Sequence, residues 1–190
     1  GLYQTTAKCT FYSGENCANV QTSTGTAYYN AAGNLQDAIL TCPTGADIGG
    51  WTWRGWSYVS ETWATAGVNC PNGMQYGSHD EHVRYGLYQK TINVGSQTGT
   101  AYYNSAGNAS YPSFTLAGNG YGKSGYVFTG WTNNGVDTYS AAQTITVYGN
   151  VTFYAVWTAD TITVIDNYTD LTGTLAFTDE GSTVQTVDIS

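Results

Sequence analysis

The chain has few charged residues: Asp, Glu, Lys and Arg make up 9% of it, where globular domains usually have about 25%. Only five of its 190 residues are Lys or Arg, and the formal net charge is −8. Nucleic acids and anionic lipid surfaces are bound through clustered basic residues, so neither is an expected partner. The chain also lacks any apolar run near the roughly 20 residues of a membrane-spanning helix. Membrane insertion is therefore not expected.

Residues that favour strands and turns are abundant. Aromatic residues make up 15% of the chain, and there are 24 Gly. Aromatic and β-branched side chains pack well on pleated strands, and glycine suits tight turns. Residues 35–40 (LQDAIL) are compatible with one helical turn, but Pro112 stands in the matching stretch of an internal repeat and argues against a long helix. We expect an all-β to β-dominated α+β fold.

The sequence contains two copies of one module. TGTAYYNAAGN at residues 24–34 recurs 74 positions later as TGTAYYNSAGN. WTWRGW at residues 51–56 recurs 75 positions later as YVFTGW, and RYGLY at residues 84–88 recurs 69 positions later as FYAVW. Matches that keep their order and nearly constant spacing indicate a duplication. The offset drops by six between the last two matches, and we expect the six extra residues to include the Cys70–Gly73 turn or the HDEH stretch.

GLYQ opens the chain at residues 1–4 and returns at residues 86–89, where it ends a strand-like run. We therefore interpret residues 1–4 as the end of a preceding repeat or as an open edge strand. Residues 5–89 form the first repeat, with cysteine-bearing insertions, and residues 90–158 form the second. Residues 159–190 form an acidic β tail with strands expected at 161–166, 172–178 and 183–189. Gly149–Asn150 predicts a tight hairpin between the strands around it.

The four cysteines, Cys9, Cys17, Cys42 and Cys70, all lie in the first repeat, and no C-x-x-C spacing occurs. An even number of cysteines in a chain with few charges favours disulfides and an oxidising, extracytoplasmic setting. Three pairings are possible, and we favour Cys9 with Cys17 and Cys42 with Cys70. The alternative is four buried thiols in a cytosolic protein.

The sequence offers little for catalysis or metal binding. Its only two histidines, His79 and His82, lie in one HDEH stretch. Zinc requires three or four ligands, so these two are weak candidates for a metal site. A G-x-S-x-G elbow and an H-E-x-x-H helix are both missing. The acids cluster in the tail rather than as a catalytic pair. We expect no enzyme, no cofactor and no metal.

The tryptophans of the first repeat are candidates for ligand binding, because exposed indole faces stack on sugar rings. Trp53 and Trp56 align with Phe128 and Trp131, which stand at core positions of the repeat family that residues 124–158 resemble. Trp51 and Trp63 are less constrained, and we take them as possible ligand-binding residues. Exposed apolar patches of this kind mark binding sites.

The stretch at residues 124–158, from SGYVFTGW to VTFYAVWT, resembles the second half of the Listeria–Bacteroides repeat, a B-repeat-like module of bacterial surface proteins. The matching residues are Gly125, Tyr126, Phe128, Gly130, Trp131, Tyr154, Ala155 and Trp157. The first copy is a more distant match that keeps Trp53, Gly55, Trp56, Tyr85 and Tyr88, and the tail lies outside the resemblance. The resemblance implies small β-grasp-like modules in arrays on secreted and wall-attached proteins, where they act as spacers, adhesive stalks or partner-binding units without catalytic activity.

Taken together, these patterns predict a secreted or cell-surface structural or adhesive protein. It would be a subunit or segment of a bacterial stalk, pilus-like fibre or adhesin, with self-association or neighbouring repeats as its partners. An open edge strand is a template for a strand of another chain, so head-to-tail assembly through strand addition is one expectation. The alternative is an adhesin module that binds a host or matrix glycan or protein through exposed aromatic residues.

Overall fold

The structure is a computed structural model, and it describes residues 1–58, 64–118 and 120–161 together with two strands of the tail. Within this part the chain forms fifteen strands and one three-residue 3-10 turn at Glu15–Cys17, and no α-helix. The predicted β-dominated fold is confirmed. The strands are β1 Leu2–Ser13, β2 Asn19–Asn30, β3 Leu35–Gln36, β4 Ala38–Thr41, β5 Thr52–Ser57, β6 Gln75–Ser78, β7 Glu81–Val94, β8 Gln97–Asn104, β9 Ala109–Ser110, β10 Ser113–Thr115, β11 Tyr126–Thr132, β12 Thr144–Thr146, β13 Tyr154–Ala159, β14 Thr174–Thr178 and β15 Val184–Asp188.

The opening hairpins of the two copies have the same register. Leu2 faces Asn30 where β1 pairs with β2, and Leu87 faces Asn104 where β7 pairs with β8. The first hairpin is longer: β1 and β2 each have twelve residues, whereas β8 has eight. The cysteine-bearing insertion of the first copy therefore extends this hairpin outward and adds to its turn. LQDAIL, which the sequence allowed as a helical turn, instead forms β3 and β4.

The GW element forms the same bulged strand in both copies. β5 pairs with β7 and β11 pairs with β13, and the register shifts at Gly55 in one pair and at Gly130 in the other. These glycines have φ values of 141° and 149°. A Cβ atom at Gly130 would lie 2.5 Å from the carbonyl oxygen of Tyr139. The bulge therefore requires glycine for both its backbone angles and its space.

The six extra residues of the first copy lie elsewhere than predicted. Trp56 forms a β-bridge with Cys70, and Trp131 forms the equivalent bridge with Tyr139. Tyr139 follows Cys70 by 69 positions, which is already the offset of the closing strand. The insertion therefore falls between Trp56 and Cys70. Its placement at the turn after Cys70 or in the HDEH stretch is wrong.

One continuous strand, β7, joins the two copies. Tyr85 in its first half pairs with Tyr12 of β1 on one edge and with Ser57 of β5 on the other. The second half of β7 pairs with β8. We call β1 to β7 the first module and β7 to β13 the second module, and β7 closes one and opens the other. Seven strands, β1 to β3, β5 and β7 to β9, thus form one sheet, and the repeat boundary drawn between residues 89 and 90 falls inside a strand.

Each module has its own hydrophobic core on the same face of this shared sheet. Trp53, in β5, packs against both cores. The first core consists of Ala7, Cys9, Phe11, Ala27, Ala38, Leu40, Cys42, Trp56 and Cys70. The second core consists of Trp51, Tyr88, Ile92, Val94, Ala101, Phe114 and Val147. The alternation of Ala7, Cys9 and Phe11 is the period-two pattern of a strand with one buried face.

The predicted hairpin at Gly149–Asn150 is wrong. β12 pairs with β10, and β13 pairs with β11, so the two strands beside this turn belong to different sheets. Val151 instead bridges Val94 in parallel, as β7 pairs with β1 in the first module. The closing strand, β13, therefore pairs with β11, the strand of the GW element, and not with β12. In the tail, β14 and β15 pair antiparallel and coincide with two expected strands, whereas the strand expected at 161–166 falls almost wholly outside the described residues.

Candidate functional site

The same four letters, GLYQ, occupy two very different environments. In the second module Leu87 is 1% exposed and Tyr88 is fully buried. At the equivalent positions of the first module, Leu2 is 74% exposed and Tyr3 is 51% exposed. Since the local strand register is identical, the difference comes from what packs over each site. We call the contact region between the two modules the junction.

Trp53 and Trp51 of the first module cover Tyr88 and Tyr103 at the junction. The ring of Trp53 meets the ring of Tyr88 edge-on at 5.2 Å. Trp51 packs against Tyr103 with ring centroids 5.6 Å apart, and also against Tyr111 at 6.2 Å. Edge-on and tilted aromatic pairs at such distances contribute beyond the apolar area that they bury. The junction is therefore an aromatic interface as well as a shared strand.

The extended hairpin of the first module braces this interface. The backbone N–H of Gly14 donates to the buried hydroxyl of Tyr88 at 2.8 Å, and that of Asn16 donates to the hydroxyl of Tyr103 at 3.0 Å. Cys17 donates its backbone N–H to the carbonyl of Ser105 at 2.7 Å. Sequence reasoning recognised the insertion but not its role. The signal that pointed to it was that only the first copy carries the extra residues.

Trp51 is a buried residue of the junction. It is 8% exposed, and the ammonium of Lys90 lies 4.3 Å from the centre of its ring. The expectation that it is exposed is wrong, because its side chain is enclosed by Tyr103, Tyr111 and Lys90. Trp63, the other candidate, lies outside the described residues. Trp53 is half-buried and Trp56 fully buried in the core.

The cysteines form one disulfide. Cys42 and Cys70 are bonded and fully buried, with their Cα atoms 6.2 Å apart, which confirms this pairing. Cys9 and Cys17 are free, so the predicted Cys9–Cys17 bond is wrong. Four strand residues separate Cys9 from the turn, a distance of about 13 Å at roughly 3.3 Å per residue. A disulfide requires Cα atoms within about 7 Å, and Cys9 faces the core while Cys17 faces Ser105.

Cys9 lies in a buried polar cluster with Tyr76 and Arg84. Arg84 is 3% exposed and its guanidinium sits 4.0 Å from the ring centre of Tyr58 and 4.7 Å from that of Tyr76. Burial raises the pKa of the Cys9 thiol, and the Tyr76 hydroxyl and Arg84 charge oppose this only in part. A thiolate is the reactive form of cysteine. The cluster therefore holds a protonated, unreactive thiol and is part of the core.

The two histidines have separate partners. His79 Nδ1 lies 2.8 Å from a carboxylate oxygen of Asp37, and His82 Nε2 lies 2.6 Å from the hydroxyl of Ser78. The hydrogen bond to Asp37 raises the pKa of His79. Among the described residues, no group of three or more His, Cys, Asp or Glu side chains is arranged to hold a metal ion.

Comparisons with protein-family models, with curated protein sequences and with solved structures find no match to this chain. Across the described residues, no helix has the length and apolar character needed to cross a membrane.

Proposed function

We propose that this chain is a rigid structural segment of an extracellular stalk, pilus-like fibre or adhesin of a bacterial surface, with no catalytic activity. The observation that carries the proposal is β7, which runs through both modules as a single 14-residue strand. A strand that is hydrogen-bonded on both sides at the repeat boundary leaves no flexible linker there. Consecutive modules then keep a fixed orientation, which is the mechanical property of a spacer.

Three further features support this role. The two modules repeat one pattern of strand pairing, as arrays of stacked repeats do. The Cys42–Cys70 disulfide is compatible with an oxidising compartment. The resemblance of residues 124–158 to the Listeria–Bacteroides repeat supports β-grasp-like repeats of that family and a secreted or surface location.

The proposal is tested by measuring the distance between the modules. Spectroscopic labels at Val20 in the first module and Val136 in the second, both exposed, report it. We expect a single narrow distribution for the unmodified chain and a broad one after a Gly–Ser insertion between Gln89 and Lys90. The same insertion after Gly95, in the open turn between β7 and β8, is the control and leaves the distribution narrow. A broad distribution in the unmodified chain would contradict the rigid-spacer role.

A second proposed function is binding of a glycan or protein ligand. The observation that favours it is a cleft of about 320 Å³ at the junction, lined by aromatic rings and a carboxylate. Its lining includes Trp51, Tyr103, Tyr111 and Glu15. Aromatic walls with a few polar groups are typical of small-ligand sites. Glycan-array binding that is lost in Tyr111→Ala but kept in Tyr154→Ala, at an exposed ring outside the cleft, would support this function, and no binding to any glycan would exclude sugars as its ligand.

A further inference from the structure

The two sides of the junction recur, uncovered, at opposite ends of the two-module unit. Trp51 on the first module and Tyr103 on the second form the contact inside the chain. The residue equivalent to Trp51 in the second module is Tyr126, 75 positions later, and the residue equivalent to Tyr103 in the first module is Tyr29, 74 positions earlier. Tyr126 is 44% exposed and Tyr29 is 40% exposed. Each is thus half of a contact whose other half is present elsewhere in the same chain.

The acceptor face is formed by Tyr3 and Tyr29, which pair directly across β1 and β2. The rings of Tyr3 and Tyr29 stack with their centroids 5.2 Å apart and 17° between their planes. In the second module the equivalent rings, Tyr88 and Tyr103, are covered by Trp53 and Trp51. The acceptor face is therefore the uncovered equivalent of an apolar surface that is covered in the second module.

The donor face is formed by Tyr126 and Phe128 of β11. Phe128 is equivalent to Trp53, and the ammonium of Lys123 lies 3.9 Å from the centre of the Tyr126 ring. At the junction Trp51 also contacts Tyr111, whose equivalent on the acceptor face is Asp37, 74 positions earlier. Docking in the junction geometry therefore brings the Lys123 ammonium towards the Asp37 carboxylate, which already pairs with His79 through one oxygen. The two faces are complementary in charge as well as in apolar surface.

We propose that the donor face of one chain docks on the acceptor face of a second copy and repeats the junction between chains. This inference rests on the proposed structural function and names its partner. The contact uses a different surface on each copy, so it is heterologous and propagates head to tail unless a rotation closes it. The two copies then extend the shared sheet in the way that the two modules do within one chain.

The backbone at the junction shows how the strands connect. Residues 87–89 pair with β5 on one edge and with β8 on the other. Their equivalents, residues 2–4 and residues 156–158, each pair on one edge only among the described residues, with β2 and β11 respectively. Between β11 of one copy and β2 of the next there is room for only one of these two segments. Residues 156–158 of one copy take this position by strand addition beside residues 28–30 of the next copy. Trp157 then replaces Tyr3 beside Tyr29, as Tyr88 lies beside Tyr103 within the chain, and residues 2–4 are displaced.

Sedimentation velocity with four variants tests the docking. Tyr29→Glu disables the acceptor face, Tyr126→Glu disables the donor face, and Tyr148→Glu is the matched control because its exposed ring lies on neither face. We expect the unmodified chain and the control to form species that grow past the dimer as concentration rises. Each face variant should associate at least about tenfold more weakly, as expected for a central aromatic residue. A deletion of residues 1–4 should associate at least as strongly as the full chain.

The mixture of the two face variants gives the sharpest outcome. One variant keeps an intact donor face and the other an intact acceptor face, so an equimolar mixture should form a discrete dimer and nothing larger. Such a dimer also shows that both variants are folded.

Dimers of the full chain that depend on Tyr29 but not on Tyr126 would instead mean that the acceptor face pairs with itself, and would overturn the proposal. Loss of association on deleting residues 1–4 would overturn the strand replacement. A chain that stays monomeric up to millimolar concentration would overturn the docking, while the distance measurement within one chain would still test the rigid spacer.

Discussion

Removal of the Cys42–Cys70 disulfide should destabilise the first module strongly. The bond joins two fully buried residues that are 28 positions apart. In the chain-entropy model a loop of this length contributes about 3.5 kcal/mol to the free energy of unfolding at 25 °C. The second module is a natural comparison, because Leu116 and Tyr139 stand at the equivalent positions and no bond links them. The module pattern therefore folds without the bond, and we expect the variant Cys42→Ala/Cys70→Ala to be folded but less stable.

Urea unfolding with and without reductant measures this contribution. With a slope of about 2 kcal/mol per molar urea, the midpoint should fall by roughly 1–2 M in the double variant. Reductant should lower the midpoint of the unmodified chain by a similar amount and leave the variant unchanged. Cys17→Ala, which removes a free thiol, is the control and should keep its sensitivity to reductant. Alkylation of four thiols in the unreduced, unfolded chain, or a midpoint that reductant does not shift, would refute the reasoning.

Three smaller perturbations test other parts of the structure. Gly130→Ala should lower the free energy of unfolding by about 1–3 kcal/mol, because its φ is strained for alanine, while Gly149→Ala, in open space, should change it little; equal effects in urea titrations would contradict this. Tyr88→Phe should cost about 1–3 kcal/mol, since it leaves a buried backbone N–H unpaired; an unchanged urea midpoint would show that water replaces the hydroxyl. The hydrogen bond to Asp37 raises the pKa of His79 above its ordinary 6.5. The small stabilisation from this pair is therefore present below pH 6.5 and is lost as the pH rises through the folded-state pKa. The melting temperature of His79→Ala across pH 5–8 should lack this pH-dependent fall, and a fall that persists would contradict the assignment.

The repeat was predictable from the sequence because its matches fall on residues that the fold constrains. The bulge requires glycine at positions 55 and 130, and the core requires Trp56, so both copies retain the Gly–Trp pair. The Cys42–Cys70 bond was favoured as a link between two loops of the first repeat. Both cysteines are buried, and Leu116 and Tyr139 stand at the equivalent positions of the second module.

The Cys9–Cys17 pairing failed because sequence separation says nothing about which face of a strand a residue occupies. Cys9 alternates with Ala7 and Phe11 and is turned to the core, whereas Cys17 lies beyond the end of the strand. Trp51 failed for a different reason. Its burial is provided by Tyr103 and Tyr111 of the other module, and contact between modules leaves no periodic pattern in the sequence.

The extended hairpin makes the contact within the chain stronger than the contact proposed between chains. Gly14, Asn16 and Cys17 each donate a backbone hydrogen bond to the second module. The equivalent hairpin of the second module turns at Gly95 with only eight residues in β8, so a docking donor face brings no such brace. Hydrogen bonds of this kind contribute about 0.5–1.5 kcal/mol each, and three together correspond to one to three orders of magnitude in affinity. The two modules of one chain are therefore permanently joined, while assembly of copies through the donor and acceptor faces is reversible and depends on concentration.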